Sequence, residues 1–361
     1  MYFVSGRLPR VALTLSVLLG TASVAAHAGE VRYAGHGHAE SPSWSLDGTH
    51  VAYEVNNFAG TVDMYVSQVQ LAIAKDGKKV SLPGGSSAFG QGGSVVINPT
   101  WHPQGLVVFE GSNQGGNMRL YYVEPTSSAA SEMVKTSEIP GDLTFPSISA
   151  DGSTMAFIAD ATGNGDIRTR DTSTAKIGQL TNSDYSEMFP QYSSDGKSVV
   201  FSRKRNNTED IFVMPAIGGE AELAVGGGGD QTRPQYVAGG GIVYFDNGRG
   251  QDLWDLAIVS GPGGDKRTIG KGVRLPTRAR PPVSPDGQWV AYAHSDTKMS
   301  SKVMLSRVDG SKTVEVPTKF EACGDPAIGV QGKRVLLAYT ALPTAGADWR
   351  FLYVEDITDL L

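Results

Sequence analysis

"PSWSLDGTHVAY" (residues 42–53) reads as a strand, a tight turn and a second strand, and the chain writes variants of it seven times. Aligned on the proline, the units are anchored at Pro42, Pro99, Pro146, Pro190, Pro234, Pro281 and Pro326, with spacings of 44 to 57 residues. Six positions after every proline stands a glycine: Gly48, Gly105, Gly152, Gly196, Gly240, Gly287 and Gly332. In four units the residue before it is Asp (Asp47, Asp151, Asp195, Asp286). Asp can accept a hydrogen bond from the backbone two residues on, and Gly takes the positive φ that a short hairpin demands. Where the Asp is replaced (Gln104, Gly239, Gln331) the Gly stays, so backbone geometry is the stricter need.

An apolar run follows each turn, as in Val51–Tyr53, Leu106–Phe109, Met155–Ile158, Val199–Phe201 and Ile242–Phe245. These runs predict central strands buried on both faces. About twenty residues past each proline a third strand begins, for example "DMYV" from Asp63, "RLYYV" from Arg119 and "DIFVM" from Asp210, and a short outer strand leads into the next unit. Four strands at this period make a propeller blade, so the reading is an all-β chain, a seven-bladed β-propeller spanning residues 29–361. The composition agrees, with 45 Gly among 361 residues and 19% charged residues. The last unit reaches Leu361 directly after its third strand, and "EVRY" (30–33) precedes the first unit without a blade of its own. That strand is expected to complete the last blade and hide the two edges an open array would expose.

Residues 1–28 read as a secretory signal: Arg7 and Arg10 precede an apolar run from Val11 to Ala22 and then Ala26, His27 and Ala28. The run is shorter than the roughly 20 residues of a membrane span. No Cys follows the cleavage site to carry a lipid anchor, so a soluble periplasmic or secreted protein is expected. Without these residues the formal charge moves from −6 to −8. An acidic surface repels a phosphate backbone, and no basic stretch is interleaved with aromatics, which argues against nucleic acid as a partner. The only Cys, Cys323, reads as a small buried apolar side chain.

Units such as "PSWSLDGTHVAY…DMYV", "PQYSSDGKSVVFSRK…EDIFVM" and "PVSPDGQWVAY" resemble the TolB-type propeller repeat over nearly all of the chain after the signal. The resemblance implies the fold. It leaves function open, because such blades occur in periplasmic TolB, in prolyl-oligopeptidase-like enzymes and in some polysaccharide lyases. TolB carries six blades behind a separate N-terminal domain, whereas seven units and no such domain are read here.

No Gly-x-Ser-x-Gly elbow occurs, which excludes a propeller-gated serine peptidase. Calcium loops with alternating acids and phosphate-cradling Gly-rich motifs followed by Lys are also missing. The remaining place for a site is the channel mouth, where loops of all units converge just before each proline. Those loops offer Glu40, Asn98, Glu187, Arg233, Arg278, Arg280 and Asp325 as ligand-binding candidates. Arg233, Arg278 and Arg280, from neighbouring units, could hold a carboxylate by bidentate hydrogen bonds, in an acidic polypeptide or a uronic acid sugar. Alternatively they pair with Glu187, Asp230 and Asp325. In "HGHAE" (36–40), His36, His38 and Glu40 project to one side of an extended strand, a donor set for zinc or manganese, against the plainer reading of solvated loop histidines. No cofactor beyond such a divalent metal is expected. Two functions compete: a scaffold binding a protein or envelope component through its channel-mouth loops, and a lyase acting on uronate-containing polysaccharide, with the Arg cluster neutralising the carboxylate.

Overall fold

The computed structural model describes residues 29–31, 37–70, 73–74, 76–83, 93–113, 115–135, 137–161, 163–248, 254–295, 300–320, 322–344 and 346–361. The proposed signal, His36, and Arg32 and Tyr33 of "EVRY" lie outside them. The fold is all-β. Two short 3₁₀ turns, Ala238–Gly240 and Thr358–Leu360, are its only helical elements among the described residues.

The third and fourth repeat units are four-stranded antiparallel sheets in simple up-and-down order, for example Asp142–Ile148, Thr154–Asp160, Asp166–Asp171 and Ile177–Gln179. The first and second units join into one larger sheet through Val62 and Val95, and the fifth and sixth join through Val273 and His294. In the last unit Cys323–Gln331, Arg334–Ala341 and Phe351–Asp356 are followed in the sheet by Gly29–Val31, which pairs antiparallel with Leu352–Val354.

The turn chemistry explains the repeated Asp-Gly. The seven glycines have φ between 63° and 86°. In all four Asp-bearing turns the carboxylate accepts the amide two residues on, at 3.0–3.1 Å. The central strands are buried through their middles, with Tyr53, Phe109, Phe157 and Phe201 at 0% exposure. Each such aromatic contributes roughly 2–3 kcal/mol by leaving water.

Seven hydrophobic clusters form among the described residues, and each is shared by two neighbouring units. One of them joins the first unit to the seventh: Trp44, Val51 and Tyr53 pack with Ala327, Leu336 and Leu352. Aromatic side chains two residues after the proline reinforce these junctions. The Trp44 indole donates to the Ala327 carbonyl (3.1 Å), and that of Trp101 donates to the Ser43 carbonyl (3.0 Å). Both acceptors are the residue after the proline of the preceding unit.

Candidate functional site

Six of the seven proline-bearing segments share one irregularity. The residues before the prolines, Ser41, Asn98, Phe145, Phe189, Arg233 and Asp325, have φ of 41–55°, a left-handed conformation that costs a non-glycine residue on the order of 1–2 kcal/mol. The register slips across each of them, so two residues oppose one on the central strand. Such a bulge re-aims a side chain and turns its own amide out of the ladder. Side chains of neighbouring units accept several of those amides. Asn98 N–H donates to Glu54 Oε1 (2.9 Å), Phe145 N–H to Glu110 Oε1 (2.7 Å) and Arg233 N–H to Ser202 Oγ (3.2 Å).

Glu54 and Glu110 were not apparent as site residues from the sequence. Both follow the aromatic of a central strand and are almost fully buried, at 0% and 2% exposure. Burial pushes each up to about 7, against which Arg278 and the Asn98 amide act on Glu54, and the Asn98 side chain and Phe145 amide act on Glu110. A carboxylate inside an otherwise largely apolar strand was the available signal.

Two of the three arginines face this pair from across the molecule, and the third, Arg233, grips the backbone of the segment that carries them. Arg278 Nη1 donates to Glu54 Oε2 at 3.0 Å. Arg280 Nη2 donates to the Pro190 carbonyl (2.6 Å), and its charge faces Glu110. Arg233 donates to the carbonyls of Pro276 (2.5 Å), Ala279 (3.1 Å) and Thr277 (3.2 Å), with its guanidinium 5.3 Å from the Phe189 ring centre. Burial pushes Arg233 and Arg280 down to about 10, still cationic at neutral pH.

The other candidates scatter into separate groups. Glu187 bonds Arg203 (3.0 Å), Ser183 (2.6 Å) and Thr181 (2.8 Å), a group of its own at the junction of the third and fourth units. Asp325 accepts the Ser41 amide and faces Arg350, and burial raises its carboxyl. Asp230 accepts the Glu209 amide (2.9 Å). Glu40 is raised by burial first and by Asp325 second. His38 Nδ1 accepts the Arg350 amide (3.1 Å), and its ring lies edge-on to Phe58 and Trp349. Burial, with Arg350 nearby, lowers its pKa and favours neutral imidazole. His36 is outside the described residues, and among the described residues no three of His, Cys, Asp and Glu are grouped to hold a metal ion.

Two cavities flank this network. The larger, about 800 Å³, is lined by residues of all seven units, including Trp44, Trp101, Tyr192 and Tyr236, and reaches the turn side at Leu46 and Ser194. The smaller, about 260 Å³, lies beside His38, Glu40, Asp325 and Arg350.

Among solved structures, TolB from Acinetobacter baumannii aligns at 21% identity and a TM-score of 0.58, covering 78% of this chain and 67% of that one. An oligogalacturonate lyase in complex with manganese aligns at 12% identity and 0.60, covering 89% of both chains. A puromycin-hydrolyzing peptidase of Mycobacterium tuberculosis aligns at 13% and 0.61, over 89% of this chain but 52% of its own length, so the chain spans about half of that enzyme. At these identities the likeness is one of fold. The family model of the TolB beta propeller domain matches residues 126–332, and with the repeated turns and sheets this places the chain in the TolB β-propeller domain family.

Proposed function

We propose that the chain is an exported seven-bladed propeller, closed by its N-terminal strand, that binds a protein or envelope component at the open turn-side mouth of its channel. The observation that carries the reading is the 800 Å³ cavity with walls from every unit. Concave sites with mixed aromatic and polar walls are where ligands lose most water. Leu46, 65% exposed at the rim, adds an apolar contact there. Among the described residues no helix is long and apolar enough to cross a membrane.

The channel-mouth candidates then divide by role. Arg233, Arg278 and Arg280, with Asn98, hold the channel together, and the loops leading to the turn face make the contact. A uronate lyase would need a guanidinium turned toward substrate. These three are spent on Glu54 and on backbone carbonyls, which favours the scaffold reading over the lyase.

Photo-crosslinking amino acids placed at Leu46 and Ser194, and at Ile217 on the outer surface as control, test this in the producing cell. Adducts confined to the first two positions are expected. Adducts at Ile217 with none at Leu46 or Ser194 would move the interface to another face.

A further inference from the structure

The sixth unit breaks the pattern that the other six keep. In those, the proline segment skips two residues across one central-strand residue. In the sixth, Arg274 N–H donates to the Ala293 carbonyl (2.9 Å), and the chain rejoins its strand only where Ala291 N–H donates to the Pro282 carbonyl (3.0 Å). Residues 275–281 therefore loop out opposite Tyr292, five residues more than a bulge requires. An insertion of this kind projects from a rigid frame, the usual position of a moving or functional loop.

The loop lies between the two cavities. Leu275, Pro276 and Thr277 face the smaller one, and Arg278, Ala279 and Arg280 face the larger. No residue of the loop lies in a described strand, so its hold on the channel comes chiefly from side chains. Arg278 reaches Glu54 of the first unit, Arg280 reaches the Pro190 carbonyl of the fourth, and Arg233 of the fifth grips three loop carbonyls. Three latches on three units hold a segment with little ladder pairing, the composition of a region that opens locally while the frame stays folded.

We propose that residues 275–281 form a displaceable septum that divides the channel, and whose release joins the two cavities into one passage. The groups that hold or oppose it are Glu54, Glu110 and Asn98 on the first and second units, Glu209 and Arg233 beside the fifth, and Glu40, Asp325 and Arg350 at the junction of the first and seventh. Protein binding at the turn face could fail while the septum stands, because the septum is read from the loop's own geometry.

The test is limited proteolysis with subtilisin under native conditions, on the wild type and on Arg233→Gln and Glu54→Gln, with mass spectrometry locating the cuts. Wild-type protein is expected to be nicked first within 275–281 while its far-ultraviolet spectrum stays intact. Each latch variant should be cut there about tenfold faster, the change expected when a largely buried contact no longer holds the closed state. In parallel, a nitroxide on Thr277→Cys, with Cys323 buried and unlabelled, should pass from restricted to mobile motion in the Arg233→Gln background. Resistance of 275–281 matching that of the central strands, in wild type and variants alike, would overturn the proposal. So would variants cut everywhere at once, since the loop would then have no motion separate from unfolding.

Discussion

At the scale of single residues, the repeated glycine carries two separable demands. Gly48 and Gly196 share nearly the same left-handed φ, 65° and 69°. A β-carbon at Gly48 would stand 2.3 Å from the Val330 carbonyl oxygen of the seventh unit, whereas one at Gly196 would meet nothing within 4 Å. Gly196→Ala should therefore cost about 1 kcal/mol, the conformational penalty alone. Gly48→Ala should cost at least ~2–3 kcal/mol, because it also pushes the first unit off the last. Urea denaturation of the two variants measures the difference. Equal costs would mean that the turn, and not the contact with Val330, is what Gly48 serves. These turns were legible in the sequence because the Asp side chain, the Gly φ and the hairpin all act within six residues of one another.

At the scale of elements, the ion network was largely illegible, for a physical reason. Arg278 and Glu54 are 224 positions apart and meet only because the first and sixth units face each other across a cavity. Sequence spacing put Arg278 and Arg280 among the channel loops, but not on a looped-out septum, and Glu54 lay just past the apolar run Val51–Tyr53 with nothing to single it out. The network has a pH signature. The folded carboxyls of Glu54 and Glu110 stand at about 7, above the ordinary value near 4.5. A raised folded pKa favours the folded state in its protonated form. Its contribution is complete below about pH 4.5 and is lost as pH rises through 7, on the order of 3 kcal/mol for each group taken alone. Stability should thus decline between pH 5 and pH 8. In Glu54→Gln, which cannot ionise, the decline should shrink by a substantial part, with Glu110 supplying the remainder. Urea midpoints at the two pH values give the answer, and an unchanged slope in the variant would show that Glu54 is ionised throughout.

At the scale of the whole molecule, the issue is how seven units hold together when each buries its apolar face only against its neighbours. Such arrays are stabilised by interface terms between adjacent units, and an unpaired end is their weak point. Here the first and last units share a cluster as extensive as those between consecutive units, and Gly29–Val31 covers the outer edge of Phe351–Asp356. Removing residues 1–33 deletes that covering strand and leaves the cluster around Trp44 in place. The edge it exposes carries unsatisfied backbone groups next to apolar side chains, a template for pairing with another chain. The shortened protein should therefore unfold several degrees lower than a chain beginning at Gly29, by scanning calorimetry, and should form dimers or larger species at concentrations where the longer chain is monomeric by light scattering. If the two chains match in both respects, the cluster between the first and last units suffices to join them, and the N-terminal strand adds nothing to that junction.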